Sequence, residues 1–139
     1  METPGTVAPI KQALVQTIRA NVALKAALTG GVHEGIAPQA TRYPFLTYQL
    51  HYAPYDYIWG SVMKYVGFDV FVWAENSVDA NNVDAFAAAA LHDASLSVAG
   101  QSTLICRRTS DISSVDVDEE GKRIYQVGGT YEVWTDQPL

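Results

Sequence analysis

The chain has 139 residues, 48% of them apolar and 11% aromatic, with a formal net charge of −6 and a pI near 4.8. That length suits one domain with a real core, folding without disulfides or a structural metal. The acidic balance, with Lys and Arg few and scattered, excludes a protein that grips nucleic acid along its phosphates.

Cys106 is the only cysteine, so no internal disulfide forms and a reducing cytoplasm is expected. The N-terminal METPGTVAPIKQ lacks the continuous apolar region of a signal peptide. No apolar run approaches the ~18 residues that span a membrane. A soluble protein without membrane contact is expected, as a single domain over 1–139 with a flexible lead at 1–8 and a flexible tail at 136–139.

Pro9 suits the first turn of a helix. Ile10, Leu14, Ile18, Val22, Leu24 and Leu28 follow at helical spacing, and Gly30-Gly31 ends the element. From Phe45 the period becomes two: Leu46, Tyr48, Leu50 and Tyr52 share one face, and Thr47, Gln49 and His51 the other. The segment APYDYIWGS reads as a loop or hairpin connection. A second strand from Tyr65 to Trp73 turns Val66, Phe68, Val70 and Val72 inward.

Ser77 is placed to cap a second helix ending near Leu91, with Val83, Phe86, Ala87, Ala90 and Leu91 as its apolar stripe. Ala85, Ala88 and Ala89 leave its other sides small enough for a second backbone to approach. Strands over Ser102–Val117 and Lys122–Trp134 follow, joined by the acidic turn DVDEEGK. Gly128-Gly129 predicts a bulge or a close backbone approach.

The expected fold is therefore α+β, in the order α-β-β-α-β-β. It is a two-layer domain with a mostly antiparallel four-stranded sheet and two helices on one face. The open face would carry Phe71, Trp73, Ile105 and Trp134, large side chains that call for a partner.

No catalytic, cofactor or metal site is expected. His33-Glu34 could begin a metal or acid/base site, but His51 and His92 stand at no ligand spacing, and a structural crossover is the better reading. Cys106, alternating with Leu104 in a strand, reads as a small core residue despite Arg107-Arg108 beside it. There is no GxSxG turn and no phosphate-loop motif. Asp111, Asp116, Asp118, Glu119 and Glu120 read as a solvated hairpin tip before a weak Ca²⁺ site. Tyr52, Tyr55, Tyr57 and Trp59 lack basic interleaving, which favours a protein interface over base stacking.

Three segments carry a resemblance: VALKAALTGGVHEGIAPQATRYPFLTYQL, VGFDVFVWAENSVDANNVDAFAAAALHDASLSVAG and YQVGGTYEVWT. In order and spacing, over roughly residues 10 to 135, they resemble the small tail-completion (tail terminator) proteins of tailed bacteriophages and prophages. YAPYDYIWG and DVDEEG are less typical of that pattern.

The resemblance implies a non-enzymatic structural protein of the virion, at the head–tail junction and assembled in the host cytoplasm. It would form a ring, usually of six copies, on the head-proximal end of the tail tube. There it ends tube polymerisation and offers a surface to the head connector, while DNA passes through the lumen unbound. Tail tube protein and connector or neck protein are then the partners.

Tyr55, Tyr57, Trp59, Phe71, Trp73, Ala85, Ala88, Ala89 and Trp134 are the expected contacts with neighbouring copies, tube or connector. Asp116, Asp118, Glu119 and Glu120 are expected to face the lumen or an axial surface. Two alternatives stay open. One is a connector-docking adaptor of the same architecture. The other is a small α+β enzyme or ligand-binding domain whose cavity would be lined by Tyr48, Asp69, His92 or Cys106.

Overall fold

The structure, a computed structural model, describes residues 7–58, 61–98 and 102–138; at 55–58, 61–62, 102–104 and 137–138 the description extends to the backbone alone. Among these residues the order is α1 (Ala8–Ala20), α2 (Val22–Ala27), β1 (Val32–Glu34), β2 (Phe45–Tyr52), β3 (Tyr55–Ile58), β4 (Ser61–Ala74), α3 (Ser77–Leu91), β5 (Ser102–Val117) and β6 (Arg123–Pro138).

The fold is α+β, with one sheet in the order β1-β2-β4-β6-β5 and β3 paired to the start of β4. It is antiparallel except for β1, which runs parallel to β2. Three expectations of detail change here. The sheet is larger than four strands, since the helix-to-sheet crossover and the APYDYIWGS segment each supply one. The first helix is not continuous: Asn21 is extended and its side chain accepts from the Leu24 backbone N–H at 2.9 Å, ending α1 and capping α2. Finally, Asp136 to Pro138, expected as tail, continue β6 opposite Ser61 to Met63.

The core lies between helices and sheet. Ile10, Leu14 and Ile18 of α1, Leu24 of α2 and Val83, Ala87 and Leu91 of α3 meet Leu46, Val66, Phe68, Val70, Val72 and Val133. The inward row of β4 is as the period of two predicts. Each fully buried aliphatic side chain contributes about 1.5–3 kcal/mol of hydrophobic stabilisation.

In α3 the cap is Asn76, not Ser77; its side chain accepts from the Asp79 N–H at 2.8 Å. Phe86 lies outside the buried stripe, which runs Ala80, Val83, Ala87 and Leu91, and is 41% exposed.

Glycines let β6 sit deep between its neighbours. Gly128 and Gly129 are in unbroken register with both β4 and β5, so the pair is a close approach and not a bulge. A Cβ on Gly128 would lie 1.9 Å from the Val70 carbonyl oxygen, and one on Gly129 2.5 Å from that of Ser110.

The irregularities lie in β2, between Leu50 and Tyr52, and in β5, between Thr103 and Ile105 and between Arg108 and Ser110. The β2 irregularity turns Tyr52 away from the face that Leu46 and Tyr48 occupy. Its ring lies over Gly67 on the open side of the sheet, and Leu50 is left half exposed.

Candidate assembly surfaces

The His33-Glu34 pair is structural. His33 Nε2 is 2.7 Å from the Gly30 carbonyl oxygen, and Glu34 Oε1 takes the Lys11 ammonium at 3.3 Å. Among the described residues no three His, Cys, Asp or Glu side chains gather where they could hold a metal ion. No helix there is long and apolar enough to cross a membrane.

The residues of the pocketed-enzyme alternative are not brought together. Tyr48 and Cys106 face the helices, whereas Asp69 lies on the opposite face of the sheet. Burial, with Asp93 adding to it, pushes the Cys106 thiol up to about 12, so it is neither reachable nor ionised near neutrality. His92 Nδ1 accepts the backbone N–H of Arg108 at 3.2 Å, a local structural bond.

The open face of the sheet carries a polar row with aromatic ends. In its middle the buried Asp69 accepts from Thr130 Oγ1 at 2.8 Å and meets His51 Nδ1 at 3.1 Å. Toward one end Glu132 accepts from both the Tyr52 hydroxyl and the Trp134 indole. Burial and that carboxylate raise Tyr52 to about 12. The Trp134 and Tyr65 rings meet edge to face at 4.9 Å. Cross-strand bonds of this kind hold large side chains in place while leaving them accessible.

Toward the other end the face is partly roofed. Residues 35–41 fold beside it to make a groove of about 450 Å³, floored by Phe45, Thr47, Trp73 and Ile124 and lipped by Asp116, Val117 and Asp118. Phe45 stacks on Trp73 with ring centres 6.0 Å apart, and Trp73 Nε1 donates to Thr47 Oγ1 at 2.9 Å. This cover explains why Thr47, on the face expected to be solvated, is 3% exposed.

Asp118 holds the hairpin turn by accepting from the N–H groups of Glu120 and Lys122. Burial, then the charges of Asp118 and Glu75, raises the Tyr43 hydroxyl at the groove wall. The groove is thus apolar below and negative at its lip.

Of the expected contact residues, Phe71, Trp73 and Trp134 lie on this open face as read from the sequence. Ala85 and Ala89 are exposed on α3 and Ala88 is half-buried, beside the exposed Phe86 and Val78. Tyr55 and Tyr57 belong to β3, and Trp59 lies outside the described residues. Asp116, Glu119 and Glu120 are exposed at the β5–β6 tip, with Asp118 half-buried.

Sequence reasoning missed the polar hub beneath α3. Arg108 makes a two-point ion pair with Asp84 at 2.8 and 2.9 Å, and donates to Tyr131 Oη, the Gly128 carbonyl oxygen and Asp111. Burial opposes its charge, but these acceptors, Asp84 first, hold the guanidinium above its ordinary value. Arg108 faces the helices because it stands two residues beyond the inward Cys106 in unbroken register with β6. Asp84, an acidic residue within an apolar helical stripe, was the available signal.

Comparison with known proteins agrees with this architecture. No curated protein matches the chain. Among solved structures, a chain from the "Virion of native gene transfer agent (GTA) particle" has a TM-score of 0.75 at 13% identity, with 96% of this chain and 99% of that chain covered. At that identity the likeness speaks for the fold. The family described as "Tail completion protein gp17" matches residues 12–136, nearly the whole length, and the chain belongs to that family of tail structural proteins.

Proposed function

We propose that this protein forms a ring on the head-proximal end of a phage tail tube, ending tube polymerisation and presenting a docking surface to the head connector. The observation that carries this reading is a one-sided sheet. Its helices seal one face, while the other presents Phe71 and holds Trp73, Tyr65 and Trp134 by a hydrogen bond or ring contact, in a chain of the tail-completion family. A ring needs head-to-tail contacts between unlike patches of each copy. The open sheet face and the exposed side of α3, with Val78, Ala85, Phe86 and Ala89, are two unlike patches.

On this reading the protein is not an enzyme, and it resides in the virion at the head–tail junction. The acidic β5–β6 tip faces the axis, where negative charge keeps passing DNA from being held. Charge reversal there would slow DNA ejection.

The test is light scattering and electron microscopy of the purified protein, alone and with the tail-tube protein of the same phage or prophage. A discrete ring, or tubes capped at one end, is expected. A chain that ignores tube protein but binds the connector would favour the adaptor role, and one that binds neither would overturn both.

A further inference from the structure

The groove at the end of the open face has a chemical counterpart elsewhere on the same chain. Its floor of Phe45, Trp73 and Ile124 is apolar, Ile36 beside it is 89% exposed and Val117 at its lip 58%. Asp116 and Asp118 are its charged residues, and no Lys or Arg lines it. An occupant that fits must bring an apolar group flanked by positive charge.

Such a group sits at the break between α1 and α2. Val22 is 82% exposed there, with Arg19 before it and Lys25 after it, both exposed. These two cations line one depression with Ile18, Leu28, Gly31 and Val32, and Val22 stands outside it. Among the described residues neither forms an ion pair, as is also true of Arg42 and Arg123, so both cations are free to meet a partner's carboxylates.

The strip lies on the helical side and the groove on the opposite face of the sheet, so no copy can fill its own groove. A second copy, placed head to tail, can. That is the heterologous geometry that closes into a ring when the rotation allows.

We infer that the α1–α2 corner of one copy, Arg19, Val22 and Lys25, docks in the Phe45–Trp73–Ile124 groove of the next, under Asp116 and Asp118. This rests on the ring reading above and names the contact that closes the ring. It puts Asp116 and Asp118 between copies and leaves Glu119 and Glu120 for the axis.

Charge exchange tests it. The first variant carries Asp116→Lys with Asp118→Asn, since asparagine keeps the turn-holding acceptor. The second carries Arg19→Glu with Lys25→Glu, and the third carries all four changes. Circular dichroism establishes that each folds, and sedimentation velocity with tube protein measures the ring fraction.

The first and second variants should each lose about tenfold or more in association, and the third should recover most of it. Rings that survive both reversals, or a loss that the fourfold variant does not restore, would overturn the docking while leaving the ring reading intact. So would a groove variant that keeps its ring but no longer joins the connector. If the wild-type chain forms no ring, alone or on tubes, both readings fall together.

Discussion

Removing Asp84 should expose how strongly the hub beneath α3 holds helix to sheet. Asp84 and Arg108 are each 14% exposed, and the carboxylate meets the guanidinium at two points. Taking one partner from a buried pair costs about 3–5 kcal/mol, because the other charge is left without compensation. Here Arg108 keeps Asp111 at 2.7 Å, but Asp111 is 86% exposed and its attraction is screened.

Asp84→Ala should therefore destabilise by about 2–3 kcal/mol, which for a domain of this size lowers Tm by about 6–12 °C. Urea unfolding followed by circular dichroism should show the midpoint falling at an unchanged slope. The double variant Asp84→Leu with Arg108→Met should cost less than the single change, since no charge is then stranded. A loss below about 0.5 kcal/mol in the single variant, or a double variant no better than the single, would refute this account of the hub.

Gly128→Ala should be among the worst single substitutions, at about 3 kcal/mol or more, since the new methyl meets backbone that cannot move aside; soluble yield and urea midpoint report it. Cys106 should resist a thiol reagent at pH 8 in the native protein and react at once in urea. Its folded value of about 12 against an ordinary 9 means the unfolded chain loses the proton first. Its contribution is thus intact below pH 9 and is lost as pH rises toward 12, and Cys106→Ala should flatten the alkaline fall in stability. Tyr52→Phe should likewise weaken the pH dependence between 10 and 12. His33→Ala should cost about 1 kcal/mol for its bond to Gly30, and a chelator should leave the Tm of wild type and variant alike.

The partition of this protein into helix and strand was legible in its sequence because that partition depends on period. Val66, Phe68, Val70 and Val72 alternate, Ile10, Leu14 and Ile18 recur every fourth residue, and each set is buried where its spacing puts it. The open aromatic face followed from the same alternation. The three-segment pattern also led to the tail-completion family, which the match over residues 12–136 supports independently.

What sequence left undecided depends on groups distant in the chain meeting in space. Nothing local marks Tyr52 as turned over: the irregularity after Leu50 does that, and the gap above Gly67 receives the ring. Arg108 was given no partner by the sequence, yet it faces Asp84, 24 residues away, across a helix–sheet boundary. Residues 35–41 read as a crossover, and only their placement against Trp73, Ile124 and Asp116 makes them the wall of a groove. Periodicity records which side of an element is buried; which residues then share a pocket is set by register and bulges, and those are properties of the assembled sheet.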